Sequence, residues 1–333
     1  MENTNSVIGQ STAFLDMVER ASRAAALNRP VLVIGERGAG KELIAERLHR
    51  LSPRWAGPLI TMNCAALPET LVEAELFGHE AGAFTGATKT REGRFEEADG
   101  GTLFLDELAT LSMPAQERLL RVVEYGEVTR VGSNRPRRVD VRIVAATNEH
   151  LPALVEEGRF RADLLDRLAF EVITLPPLRA RAGDITVLAE HFGRRMASEL
   201  EWREWPGFAP ETLRELEAYA WPGNVRELRN VAERAVYRWE RPDLAVEGLQ
   251  FDPFASPWRP ASGQAEPLPP EALPPEPVTD LRASVAAHER GIVAATLERC
   301  RHNQRAAAKA LNLTYDQLRH LLKRHGLLEK ADA

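Results

Sequence analysis

Val31-Leu32-Val33-Ile34-Gly35-Glu36-Arg37-Gly38-Ala39-Gly40-Lys41-Glu42 decides the fold of this chain. Its first four residues are apolar and mostly β-branched, which reads as a buried strand. Gly35 to Gly40 reads as a loop, and Lys41 to Arg50 as a helix with Leu43, Ile44 and Leu48 on one face. Strand, glycine-rich loop and helix in that order form the context of a phosphate-binding loop. The glycines let backbone N–H groups face phosphates, and Lys41 can reach a β- or γ-phosphate. Gly35, Glu36, Arg37, Gly38, Ala39, Gly40, Lys41 and Glu42 are therefore candidate nucleotide-binding residues. Such loops usually carry Ser or Thr, a magnesium ligand, where this chain has Glu42. That departure weakens the bare pattern and leaves a glycine-rich turn as the competing reading.

Working outward, Leu59–Met62, Leu103–Leu105, Val141–Ala145 and Val172–Leu175 read as further buried strands. Strands alternating with helices predict an α/β fold, a mostly parallel sheet with helices on both faces and ligands beyond the strands' C-terminal ends. Gly100-Gly101-Thr102-Leu103-Phe104-Leu105-Asp106-Glu107 delivers two adjacent carboxylates to such an end. Asp106 suits magnesium bound through water, and Glu107 suits polarising an attacking water. Phosphoryl transfer needs little beyond such positioning and charge neutralisation. Taken alone, an apolar run ending in Asp-Glu is more often a surface turn.

After Pro176-Pro177 the pattern turns helical: Asp184–Leu200, Ala209–Tyr219 and Asn224–Tyr237, punctuated at Pro206-Gly207 and Pro222-Gly223. Phe251 to Asp280 holds nine of the chain's 22 prolines and reads as an extended linker. Leu281–Cys300, Asn303–Leu311 and Tyr315–His325 read as three terminal helices. The predicted domains are thus 1–176, an α/β nucleotide-binding part; 177–250, a helical part; 251–280, the linker; and 281–333, the tail. Net charge is −6, yet the stretch from Leu281 to Lys330 carries +6, so the remainder carries −12. A basic tail on an acidic body suggests different partners for the two. Cys64 and Cys300 lie far apart and outside any metal-binding spacing, which fits a reducing, cytoplasmic compartment. No apolar run reaches about 20 residues, so no membrane insertion is expected.

Two constellations remain. Phe77-Gly78-His79-Glu80-Ala81-Gly82-Ala83-Phe84-Thr85-Gly86-Ala87 is poor core and poor helix material, suited to a mobile loop tipped by Phe84. In the tail, Asn303 to Leu311 carries small residues for a close helix crossing, and Thr314 can cap the next helix. That helix displays Tyr315, Gln317, Arg319, His320, Lys323 and Arg324, while Leu318, Leu321 and Leu322 face inward: the design of a DNA-recognition helix. Arg319 and Gln317 are candidate base readers, Lys323 and Arg324 candidate phosphate contacts. A helical dimerisation module is the competing reading.

Gly82-Ala83-Phe84-Thr85-Gly86-Ala87 resembles the GAFTGA loop of the sigma-54-dependent AAA+ activators, the bacterial enhancer-binding proteins. The resemblance extends through Glu75–Glu80, Leu105–Glu107, Phe160–Leu168, Leu175–Arg179 and Trp221–Leu228, essentially over residues 7–250. In that family the phosphate loop commonly ends Gly-Lys-Glu, so Glu42 is expected there. The resemblance implies an AAA+ αβα core with a helical lid, plus a C-terminal all-α Fis-type helix-turn-helix. It implies ATP and Mg2+ as cofactors, sigma-54 RNA polymerase and an upstream DNA enhancer site as partners, and a homo-oligomer in the form of a hexameric ring. It also implies residue roles. Gly82 to Ala87 contact the sigma factor, chiefly through Phe84 and Thr85, supported by a second loop over Glu127–Arg138. Thr147 and Asn148 form sensor I, and Arg226 sensor II. Arg161 and Arg167 are arginine fingers for a neighbouring subunit's nucleotide, and Asn63 holds the catalytic Glu107.

Within the family, the layout resembles activators of phage shock operons. The AAA+ part begins within about ten residues of Met1, from which regulation in trans by a negative regulator of the phage shock protein A type is expected, with Trp55 as a candidate contact. Two rivals stand beside this reading: a DNA-binding regulator whose AAA+ core no longer drives sigma-54, and a remodelling ATPase whose tail binds an adaptor. A nucleotidase is weaker, since no second substrate pocket is apparent.

Overall fold

A computed structural model of the chain describes residues 7–84, 86–255, 258 and 280–327. It divides into two compact units, Met1–Pro253 and Phe254–Ala333. The first begins α1 (Thr12–Ala25), β1 (Val31–Ile34), α2 (Lys41–Arg50), β2 (Leu59–Asn63), α3 (Glu69–Phe77), α4 (Arg94–Glu97) and β3 (Thr102–Asp106). It continues α5 (Met113–Tyr125), β4 (Glu127–Thr129), β5 (Pro136–Arg138), β6 (Arg142–Thr147), α6 (Leu151–Glu156), α7 (Ala162–Leu168) and β7 (Glu171–Thr174).

Five strands form a parallel sheet in the order β2-β3-β6-β1-β7. Alternate residues of each strand enter opposite cores. Val31, Val33, Phe104, Val144 and Ala146 pack with α1 and α2 residues such as Phe14, Ile44 and Leu48. Leu32, Leu103, Leu105, Ile143 and Ala145 pack on the other face with Leu76, Leu119 and Leu164. Burial on both faces explains why these strands are continuous apolar runs rather than alternating ones. The register sets one functional edge: Asn63 pairs with Asp106, and Ile34, just before the phosphate loop, pairs with Thr147.

The lid helices are α8 (Asp184–Glu199), α9 (Pro210–Ala218) and α10 (Asn224–Arg238). They close around Trp221, which is fully buried and donates its indole N–H to the Leu216 carbonyl at 2.8 Å. The expected linker start needs correction. Phe251 stacks on Tyr219 at 4.2 Å between ring centroids and belongs to the lid core. Residues 256, 257 and 259–279 of that linker lie outside the described residues. The second unit contains α11 (Leu281–Arg299), α12 (Gln304–Ala310) and α13 (Tyr315–Arg324), closed over Val293, Leu297, Ala307, Leu318 and Leu322.

Candidate functional site

A cavity of about 540 Å3 opens at the C-terminal edge of the sheet, within the size range of ligand pockets. Gly38, Ala39, Gly40, Lys41 and Glu42 line it from the phosphate loop, Asn63, Asp106 and Glu107 from the strand ends, and Arg226 from the lid. Apolar walls come from Ile8, Leu175, Leu188 and Val225. The cavity therefore has a charged end suited to phosphates and an apolar end suited to a flat base. His191 also lines it, and burial holds its imidazole below the usual histidine value.

Lys41 is only 8% exposed, and its Nζ donates to the Gly35 carbonyl at 3.0 Å. Among the described residues it has no carboxylate partner. Asp106 ends β3 and accepts the Glu107 backbone N–H through Oδ1 at 3.0 Å. Glu107 adopts the left-handed conformation at φ 54°. That turns its carboxylate out of the strand line, where Arg37 Nε lies 4.0 Å away. Sparsely populated backbone of this kind costs about 1–3 kcal/mol and clusters at functional positions.

Other expected residues are placed differently. Asn63 sits beside Asp106 in the sheet, but its Oδ1 accepts from Ala65 N at 2.8 Å. No hydrogen bond joins it to Glu107 among the described residues. Thr147 is fully buried and Asn148 Oδ1 is buried without a partner; the Thr147 carbonyl accepts from Gly35 N at 3.2 Å, tying β6 to the phosphate loop. Arg161 and Arg167 are not in the cavity wall. They sit at the start and end of α7, paired with Asp163 at 2.7 Å and Glu124 at 2.8 Å. Glu36 is absent from the wall as well. Its carboxylate points to the lid, bonded to Arg179 at 2.6 and 2.9 Å and to Asn224 Nδ2 at 2.9 Å. The Arg179 and Asn224 bonds hold the Glu36 carboxyl down to about 2. Sequence reasoning missed Arg179 and Asn224 as partners, since nothing local signals a pairing across 188 residues.

Away from the cavity, His79 and Arg91 form an antiparallel bridge, exchanging backbone hydrogen bonds at 3.0 and 2.9 Å at the base of the GAFTGA loop. Gly78 and Gly93 meet at its base so closely that a side chain on Gly93 would strike the backbone of Leu76, Phe77 and Gly78. At the tip, Gly82 N donates to the Ala87 carbonyl at 2.7 Å and Ala87 N to the Phe84 carbonyl at 3.0 Å. Phe84 is 37% exposed, its ring edge-on to His79 at 5.0 Å. Thr85 lies outside the described residues. The expected second loop is the antiparallel β4–β5 hairpin, whose Val131 exchanges backbone bonds with Gly78 and Glu80. Beneath both loops Arg130, 6% exposed, grips Glu96 through two 2.7 Å bonds and lies 3.5 Å from Glu80.

In the second unit, Thr314 caps α13, and Gln317 closes a capping box through Oε1 onto Thr314 N at 2.9 Å. Gln317, expected to read bases, thus spends its carbonyl oxygen on the helix end. Arg319, His320 and Lys323 are exposed along the same helix, as is Tyr315, 43% exposed. Arg324 lies 3.6 Å from Glu289 of α11.

The chain is similar to known proteins over most of its length. Residues 7–174 match the Sigma-54 interaction domain, 179–257 the AAA+ ATPase lid domain, and 284–325 the Fis family of bacterial regulatory proteins. The chain is 52% identical to the Psp operon transcriptional activator of Escherichia coli K12, over 97% of this chain and 99% of that one. It is 45% identical to the anaerobic nitric oxide reductase transcription regulator NorR of Aeromonas hydrophila, over 96% of this chain and 63% of that one. A crystal structure of NtrX from Brucella abortus in complex with ATP superposes with a TM-score of 0.69 at 32% identity, covering 96% of this chain and 70% of NtrX. The chain therefore belongs to the sigma-54-dependent transcriptional activators, as an AAA+ ATPase carrying a Fis-type helix-turn-helix for DNA.

Proposed function

We propose that this activator couples ATP hydrolysis to remodelling of the closed complex of sigma-54 RNA polymerase, at operons of the phage shock type. The observation that carries this reading is that one cavity gathers Lys41, Asp106, Glu107 and Arg226 in a protein that also carries the GAFTGA sequence. Lys41, an unpaired ammonium at a helix N-terminus, binds the β- and γ-phosphates. Glu107 orients and polarises the attacking water. Asp106 offers the hard oxygen donors that suit Mg2+ bound through water, and that ion supplies charge neutralisation when bound. Thr147 and Asn148, beside the phosphate loop at the β6 end, sense the γ-phosphate. Arg161 and Arg167, displayed on α7 and outside their own cavity, serve a neighbouring subunit's nucleotide in a hexameric ring, where an arginine in trans stabilises transition-state charge.

Gly82 to Ala87, with Phe84 and Thr85 leading, contact the sigma factor. The helix-turn-helix tethers the ring to an upstream enhancer site and raises its effective concentration at the promoter. A separate negative regulator of the phage shock protein A type docks at Trp55, which is 68% exposed. The reading places the protein in the cytoplasm; no described helix is long and apolar enough to cross a membrane. In vitro transcription with sigma-54 polymerase tests the whole. Open complexes should form only with hydrolysable ATP, and Thr85→Ala should keep ATPase activity while losing them. Full transcription by Thr85→Ala, or by wild type without ATP, would overturn the coupling.

A further inference from the structure

The phosphate loop and the lid meet at a contact built on both sides. From the core, Glu36 offers its carboxylate and Gly38 its backbone: a methyl on Gly38 would collide with the Gly223 carbonyl. From the lid, Asn224 is fully buried in the left-handed conformation at φ 53°, so its amide is presented at the start of α10. Its Nδ2 donates to Glu36 Oε2 at 2.9 Å and to the Arg37 carbonyl at 3.2 Å, while its Oδ1 accepts from Leu178 N at 2.8 Å. Leu178 and Arg179 form the turn between the sheet and α8, and Arg179 closes the circuit onto Glu36. Two residues beyond Asn224, Arg226 donates its backbone N–H to the Gly38 carbonyl at 3.3 Å and joins the cavity wall.

We infer that Glu36 is a positioning residue: through Arg179 and Asn224 it fixes the lid to the phosphate loop and so sets where Arg226 meets the nucleotide. The inference rests on the reading of the cavity as the ATP site. An isolated pair between side chains 41% and 50% exposed would be worth little. This one is bidentate and shares its carboxylate with a buried amide, so its geometry is fixed on three sides.

The sign of one substitution separates this role from simple electrostatics. Removing a negative charge from the phosphate loop should, by charge alone, tighten ATP binding. The clamp predicts the reverse. In the full chain, Glu36→Gln should raise the KM for ATP about ten-fold, with kcat falling less than three-fold and the melting temperature falling only slightly. Arg179→Ala, which leaves the phosphate loop's own sequence intact, should give the same split. In an Arg226→Ala background, Glu36→Gln should add less than a two-fold further loss, because the arginine it positions is already gone. An unchanged or lowered KM in Glu36→Gln, or losses that multiply in the double variant, overturns the inference. A wild-type protein that fails to hydrolyse ATP would instead overturn the reading of the cavity.

Discussion

Lys41 is a buried cation with no carboxylate partner among the described residues. A buried ammonium bonded to a carbonyl and to no carboxylate is destabilising until a negative ligand arrives. Lys41→Ala should therefore lower ATP affinity by about 100-fold or more, yet leave the melting temperature of the nucleotide-free protein unchanged or raised. Calorimetric titration with ATP and thermal unfolding without it check the two halves; a large drop in apo stability would mean that Lys41 is structural. Glu107 carries the opposite assignment. Glu107→Gln preserves shape and removes the base, so nucleotide binding should persist while turnover falls by about 100-fold. Unchanged turnover would remove Glu107 from the chemistry. At this scale the sequence was informative about placement where neighbouring residues carry the signal, as for Lys41, Asp106 and Glu107, which line one cavity. It was silent where the partner is remote. Glu36 reads as a phosphate-loop residue, and its carboxylate is turned to the lid by Arg179 and Asn224, the latter 188 positions away. Asn63, expected to hold Glu107, lies beside Asp106, and the hydrogen bond of its side chain is local, to Ala65.

Among elements, the two surface loops are held by the Arg130–Glu96 pair under their bases. Burial pushes the Glu96 carboxyl up, but the hydrogen bonds and charge of Arg130 outweigh it and hold the group below the usual carboxylate range. A carboxylate depressed in the folded state stabilises fully above the unfolded value of about 4.3 and loses that contribution as pH falls through the folded value. Glu96→Gln should thus cost about 2 kcal/mol at pH 7, the range of a charged hydrogen bond, and progressively less toward pH 3. Urea midpoints of the two proteins at several pH values measure this, and a pH-independent difference would exclude the pair as its source. The network was not legible beforehand, because Arg130 and Glu96 lie on different elements and neither is part of a motif. The strands of the parallel sheet, the lid helices and the three tail helices were legible from apolar runs and turn residues, whereas α1, α3, α5, α6, α7 and the β4–β5 hairpin were not predicted. Boundaries moved where tertiary contacts intervened. The proline run beyond Phe251 suggested a linker beginning there, yet Phe251 is held by Tyr219 and Trp221.

Over the whole molecule, charge is partitioned with structure: the acidic body contains the nucleotide cavity, and the basic tail contains the helix-turn-helix. Such a division lets one chain hold DNA electrostatically without binding it through its ATPase surface. The exposed side chains of α13 should then separate by role. Lys323 is a point charge on the exposed face, and losing a phosphate contact weakens every DNA sequence alike. Lys323→Ala should reduce the slope of log affinity against log salt by about one per bound copy. Arg319, nearer the helix start, is placed to read a base edge. Arg319→Ala should cost about 1–3 kcal/mol on the specific site and much less on random DNA. Both variants should hydrolyse ATP at the wild-type rate, since neither residue belongs to the unit that holds the cavity. Titrations of specific and random duplexes at several salt concentrations decide the assignment. Were Lys323→Ala to change sequence preference and Arg319→Ala only the salt slope, α13 would be docked the other way round in the groove. Were neither variant to alter DNA binding, the basic tail would be serving a protein partner instead.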